Sequence, residues 1–189
     1  MVVPTQARER LLQAAEELFY AEGIRAVGVE RLLAVSGVGR ASFYRHFASK
    51  DDLVITTVRN YSRTWLAWLA GTVTARDEDP LAVFDALAER FAAADYRGCV
   101  SINTMVEAAD PNIPTHQVAA DHKTALTAYI RGLLDARGHT DTQALAEQFV
   151  LLIDGSIVTA LRDRTARPAQ QAKAIAAGLL ERNRIAVRG

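Results

Sequence analysis

The sequence predicts an all-α protein of about nine helices, and three observations carry that expectation. The 189-residue chain is half hydrophobic but only 7% aromatic. It is rich in Ala, Leu, Arg and Glu, strong helix formers, and sparing in Gly and Pro. Its apolar residues recur at helical spacing, and no segment alternates as a half-buried strand does. The length suffices for a substantial core, as one compact body or a small head on a larger body.

The first helix is expected from about Thr5 to Glu22, because Leu11, Leu12, Ala15, Leu18 and Phe19 fall on one helical face. Gly23 supplies its C-terminal cap. A second apolar group, Val29, Leu32 and Leu33, reaches Ser36 and stops at Gly37; the short polar segment Arg40 to Phe47 follows. That order is helix, tight turn, helix. Ser49 with Asp52 three residues on fits a helix start, with the hydroxyl capping free N–H groups and the carboxylate reaching back. A long helix therefore begins near Lys50 and runs down in Ala75 to Pro80. Further helices are expected at Leu81 to Asp95, Ser101 to Ala109, Thr115 to Ala136, Asp141 to Asp163 and Arg167 to Arg182, separated by Asp110-Pro111, Gly138 and Arg167-Pro168.

Twenty-two basic residues balance twenty-two acidic ones, so the distribution of charge matters more than its sum. Between Ser36 and Lys50 the charged residues are Arg40, Arg45 and Lys50, with no acid among them. Gly37 can take the positive φ that a tight turn requires, Val38 can fill the angle between the helices, and Phe43 and Phe47 can anchor the second helix inward. Its other face then offers Arg40, Ser42, Tyr44, Arg45 and His46, donors suited to base edges and phosphates. Taken singly, Phe43 and Phe47 are core residues and either arginine an ordinary surface charge. The combination points to a helix-turn-helix, whose second helix lies in the major groove.

The run Gly23 to Leu53, above all Gly37-Val38-Gly39-Arg40-Ala41-Ser42-Phe43-Tyr44-Arg45-His46-Phe47 followed by Ser49-Lys50-Asp51, resembles the N-terminal signature of the TetR family of transcriptional regulators. With the first helix, the resemblance extends from about Arg8 to Val58. It implies a three-helix DNA-binding head over residues 1–50 and a larger helical body over 51–189 that binds an effector and dimerises. It also implies that Arg40, Ser42 and Arg45 face bases or nearby phosphates, that Tyr44, His46 and Lys50 chiefly clamp phosphates, and that Gly28, Val29 and Glu30 lie close to the DNA backbone. Gly28 stands where the family usually has Ser or Thr, which removes a hydroxyl contact to phosphate, and Gly39 replaces a usual Ser N-cap at a cost of only a few tenths of a kcal/mol.

In the body, the resemblance implies a small, often hydrophobic effector among the middle helices. Candidate liners are Trp65, Trp68, Phe84, Leu87, Phe91, Asn103, Met105, Glu107, His122, Tyr129 and Asp154. For most of these, ordinary core packing is the better reading. Asn103, Glu107 and Asp154 stand out because a polar group within an apolar helix needs a partner. The helix Asp141 to Asp163 is apolar nearly all round through Phe149-Val150-Leu151-Leu152-Ile153 and must be covered on more than one side. The family forms its dimer through the last two helices, so the expected interface is Phe149, Leu152, Gly155, Ser156, Ala160, Ala172, Ile175, Ala176 and Leu179. A homodimer reading a palindromic operator is the expected partner arrangement, because two recognition helices about 34 to 36 Å apart reach successive major grooves.

Other function classes find little support. The four histidines lack metal-ligand spacing and Cys99 is the lone cysteine, so no metal, cofactor or intramolecular disulfide is expected. Gly37-x-Gly39 lacks both the last glycine and the preceding strand of a dinucleotide loop, and Gly155-Ser156 is not a nucleophile elbow. Met1 to Arg10 carries no signal-peptide pattern and no run of about eighteen apolar residues is evident, so a cytoplasmic protein without a membrane span is expected. The rivals are a helical-bundle enzyme with an acid–base site at Glu107, His122 and Asp154, and a DNA-binding architectural protein without an effector. No catalytic residue is assigned.

Overall fold

A computed structural model describes residues 4–188, with side chains described over 6–183. Among the described residues there are nine α-helices and no strand. They are α1 (Pro4–Glu22), α2 (Val29–Ser36), α3 (Arg40–His46), α4 (Lys50–Thr74), α5 (Ala82–Phe91), α6 (Val100–Glu107), α7 (Pro114–Ala136), α8 (Thr142–Asp163) and α9 (Arg167–Arg188).

The helix ends in the first third follow local chemistry. Gly23 has φ 91° and its N–H returns to the Phe19 carbonyl at 3.1 Å. Gly37 has φ 64° and closes α2 on the Leu33 carbonyl at 3.0 Å. A side chain at either position would be held in the left-handed region that L-residues avoid. At the start of α4 the Ser49 hydroxyl accepts the Asp52 N–H at 3.1 Å, and the Asp52 carboxylate accepts the Ala48 N–H at 3.0 Å. The carboxylate thus reaches one residue further back than in the usual reciprocal cap.

Two compact units result, and they do not follow a single cut in the sequence. Unit 1 comprises residues 1–63 and 99–122, and unit 2 comprises 64–98 and 123–189. Unit 1 is built on Leu11, Leu18 and Phe19 of α1, Leu32 of α2, Phe43 and Phe47 around α3, Leu53, Val54 and Val58 of α4, and Val118 and Ala119 of α7. Fully enclosing one such side chain stabilises the fold by roughly 1.5–3 kcal/mol. Within unit 2, α8 packs on α9 and both pack on α5. Phe84 meets Phe149 with ring centroids 5.6 Å apart, and Lys173 of α9 ion-pairs with Asp85 of α5 at 2.6 Å.

One expectation needs correction. α5 stops at Phe91, short of Asp95, because the chain turns to bring Tyr96 against Phe91 (centroids 5.0 Å apart) and its hydroxyl to the Ile157 carbonyl at 3.1 Å. α8 is long and apolar enough, by length and composition alone, to cross a membrane, a property that a packed core helix shares. The helix still contains no unbroken run of eighteen apolar residues, since Glu147 and Asp154 interrupt it. Asp154 is ion-paired with Lys123 of α7, and Leu145, Phe149, Ile153 and Ile157 are buried inside unit 2.

Candidate nucleic-acid interface

The α2–turn–α3 segment is held from inside. Phe43 and Leu32 are fully buried, and Phe47 and Val38 are nearly so. Phe43 and Phe47 stand 6.1 Å apart, and the Arg8 guanidinium lies 5.5 Å from the Phe47 ring. The Ser36 hydroxyl accepts the Val38 N–H at 3.3 Å, which ties the turn to the end of α2. With its aromatic anchor fixed, α3 presents its other residues outward. Arg40 and Arg45 are exposed, Tyr44 is 52% exposed with its ring edge-on to Phe43, and Ser42 and His46 are half-buried.

The remaining head candidates surround that face. Gly28 and Gly39 are the N-caps of α2 and α3, both extended and exposed, and neither offers a side-chain cap. The Gly39 carbonyl accepts the Ser42 and Phe43 N–H groups at 2.9 and 3.0 Å. Val29 is half-buried and packs on the unit 1 core, so only its backbone remains for an outside partner. Glu30 is exposed and ion-paired with Arg40. This pair is solvent-screened and worth at most about 1 kcal/mol, so it gives way readily to a phosphate or base. Lys50 is not a free cation: its Nζ donates to the Ile24 carbonyl at 2.6 Å.

The eleven pocket candidates fall into several environments. Phe84, Leu87 and Phe91 are buried core of unit 2. The Trp65 and Trp68 rings meet at a tilt with centroids 5.9 Å apart, and Trp68 is 37% exposed. Tyr129 is half-buried, and desolvation, helped by the Glu78 carboxylate, pushes its hydroxyl above the usual tyrosine range. Asp154 holds Lys123. In unit 1, Asn103 is exposed and Met105 packs on the core. His122 is buried with Nδ1 2.9 Å from the Ser62 hydroxyl. Glu107 accepts the Ile24 and Arg25 backbone N–H groups at 3.1 and 2.7 Å. Glu107, His122 and Asp154 thus each serve a different partner rather than one acid–base site.

Sequence reasoning missed four of these residues. Ser62 and Lys123 complete the polar contacts of His122 and Asp154, and no local signal marks them. Ser101 and Thr104 lie three apart on α6, fully buried, with no hydrogen-bond partner for either hydroxyl. An unpaired buried hydroxyl costs roughly 1–3 kcal/mol, so two in succession call for an explanation. A cavity of about 310 Å³ in unit 2, lined by Asp79, Pro80, Leu81, Arg137, His139, Ala177, Leu180 and Glu181, contains none of the pocket candidates. Among the described residues no cluster of three His, Cys, Asp or Glu gathers as a metal site would. Cys99, the N-cap of α6, is buried.

The interface candidates on α8 and α9 divide sharply. Phe149, Ser156, Ala160, Ala172 and Ala176 are buried within unit 2 and leave little surface for a partner. Leu152 and Leu179 are half-buried, and Gly155 and Ile175 are exposed. Leu151 at 73% and Val158 at 55% exposure join them, although sequence reasoning passed both over. Leu151, Gly155 and Val158 recur at the four- and three-residue steps of a single helical stripe.

Comparison with known proteins agrees with this geometry. The sequence profile of bacterial regulatory proteins, tetR family, matches residues 11–56, the span from α1 into α4. The HTH-type transcriptional regulator YjdC of Escherichia coli (strain K12) is 26% identical over 178 residues, covering 92% of this chain and 93% of YjdC. The crystal structure of SCO4454, a TetR-family transcriptional regulator from Streptomyces coelicolor, superposes with a TM-score of 0.82 at 29% identity, over 95% of this chain and 96% of that one. Residues 11–56 carry the N-terminal signature of the tetR family, and the whole chain shares its fold with a TetR-family regulator. The matched span is the DNA-binding fold of such regulators, and helices α1–α3 form it. An HTH-type transcriptional regulator in the lacX 3' region of Lactococcus lactis is 31% identical over 75 residues, and there the chain spans only 38% of its relative's length.

Proposed function

We propose that this TetR-family regulator is a ligand-responsive repressor that, as a homodimer, releases a palindromic operator when a small molecule binds. Residues 1–50 are the DNA-binding domain and 51–189 the effector and dimerisation domain. The observation that carries the reading is the outward face of α3, where Arg40, Ser42, Tyr44 and Arg45 surround a helix anchored by Phe43 and Phe47. Arg40, Ser42 and Arg45 contact bases or adjacent phosphates, and Tyr44, His46 and Lys50 hold phosphates. Gly28, Val29 and Gly39 offer backbone N–H groups to the sugar-phosphate chain.

Dimerisation is supported by the apolar stripe Leu151, Gly155 and Val158 of α8 and by Ile175 of α9, since exposed aliphatic side chains on neighbouring helices gain stability when a second copy covers them. Effector binding is supported by Ser101 and Thr104, whose hydroxyls are free to pair with a polar group of an otherwise apolar ligand. A coupling of about 1–3 kcal/mol between effector and operator corresponds to a ~5- to 150-fold change in affinity. By its likeness to transcriptional regulators, this reading also makes the protein a cytoplasmic regulator rather than an enzyme.

Capture of genomic fragments by the purified protein at near-physiological salt, followed by sequencing, tests the reading. Enrichment of one palindromic motif, released on adding a molecule that raises the melting temperature, is the expected result. Retention without any shared motif refutes operator reading and favours an architectural DNA-binding protein.

A further inference from the structure

Glu107 is the last residue of α6, where the helix end already carries partial negative charge from its free carbonyls. A carboxylate there is unfavourable unless donors compensate it. The compensation comes from the turn after α1, more than eighty positions away in sequence: the N–H groups of Ile24 and Arg25 point at Oε1 and Oε2, at 3.1 and 2.7 Å. Consecutive N–H groups following a positive-φ residue form an anion-binding concavity, and Gly23 begins one with φ 91°. Gly23 also leaves the space that the carboxylate needs, since a Cβ there would lie 3.3 Å from Oε1. On the other side of the same peptide, the Ile24 carbonyl accepts the Lys50 ammonium at 2.6 Å.

The turn is thus clamped between an anion and a cation, each hydrogen bond polarising the next. Both clamp residues lie in unit 1, but they come from α6 and from the first residue of α4. The turn they hold leads directly into Gly28 and α2, and α2 braces α3. We propose that Glu107 is a positioning residue for DNA reading: it touches no DNA, but through the Gly23–Arg25 turn it fixes the placement of α2 and α3 and the direction of the Lys50 ammonium. α6, which also carries the unpaired Ser101 and Thr104 hydroxyls, thereby has a direct hold on the head. The proposal rests on the DNA-reading function above.

The test uses the full-length protein and a duplex selected by the wild type from a random-sequence pool. Glu107→Gln keeps the side chain's size but replaces one acceptor oxygen with a donor. The expected result is faster amide exchange at Ile24 and Arg25 and roughly tenfold weaker binding to the duplex, with any fall in the salt slope no larger than the roughly one unit that Lys50 supplies. Combined with Lys50→Ala, the loss is expected to be smaller than the product of the two single losses, because both variants release the same turn. Should the Gln variant fail to fold, Glu107→Asp, which keeps the charge but shortens the reach, is expected to show the same pattern more weakly. Wild-type affinity in a folded variant whose two amides have been released overturns the proposal. A wild-type protein that selects no duplex overturns the DNA-reading function and this proposal with it, whereas selection of a duplex leaves only the clamp at stake.

Discussion

Two helix pairs in this chain expose faces of opposite character. The α2–α3 pair turns Arg40, Tyr44 and Arg45 to solvent over a buried aromatic anchor, whereas the α8–α9 pair leaves Leu151, Val158 and Ile175 in contact with water. A charged face is stable while hydrated and binds by exchanging counterions, so it suits a partner that comes and goes with conditions. An aliphatic face loses roughly 25 cal/mol for every Å² left wet, which favours a partner that stays. On the function proposed above, the reversible partner belongs to one end of the chain and the permanent one to the other.

The largest effect is expected on the inner side of the charged face. Phe43→Ala removes a fully enclosed ring and should cost about 3–5 kcal/mol of stability, read by denaturant unfolding of the full-length protein. Next come Leu151→Asp and Val158→Asp on the aliphatic stripe. Both positions are exposed, so the protomer should keep its fold while sedimentation shows monomers. Affinity for a palindromic duplex should then fall on the order of a hundredfold as the second half-site contact is lost. A dimer that survives both changes would place the permanent partner elsewhere.

Single contacts on the charged face are worth less. Tyr44→Phe removes one hydroxyl hydrogen bond and should weaken binding severalfold, at about 1 kcal/mol, for all sequences alike. Lys50→Ala should also lower the salt slope by about one unit if its ammonium reaches phosphate on DNA; an unchanged slope would leave Lys50 solely a holder of the Ile24 carbonyl. The smallest effect lies in unit 2. Tyr129 has its ionisation raised by burial and by Glu78, so the folded state keeps its proton to higher pH than the unfolded chain. The resulting stability is present below the ordinary value of 10.0 and is lost as pH rises through the folded value. Tyr129→Phe should flatten that alkaline decline, measured as melting temperature against pH.

What could be read from the sequence differs between the two pairs for a physical reason. Around α2 and α3 the determinants are local: Gly23, Gly37 and the Ser49–Asp52 cap each act within a few residues, so boundaries and anchors were visible from spacing alone. Along Phe149–Ile153 of α8 every position is apolar, and periodicity cannot say which stripe faces inward. The structure buries Phe149, Ile153, Ile157 and Ala160 and exposes Leu151, Gly155 and Val158, so the small residues Ser156 and Ala160, which suggested close approach of a partner, serve packing within the protomer. Polar residues with distant partners were equally opaque. Glu107 marked itself as needing a partner, but nothing in its neighbourhood pointed to an amide pair at Ile24 and Arg25, and Lys123 was invisible as the partner of Asp154.

The central claim is that the outward face of α3 reads bases, and its most direct measurement is the base-preference profile of the wild type compared with Arg45→Ala. Each protein is titrated against every single-base variant of the wild type's selected duplex. The expected result is a palindromic profile whose preference relaxes at one symmetry-related pair of positions in the variant, with each lost contact worth about 1–3 kcal/mol. A profile that weakens uniformly, or does not change, would contradict base reading by α3.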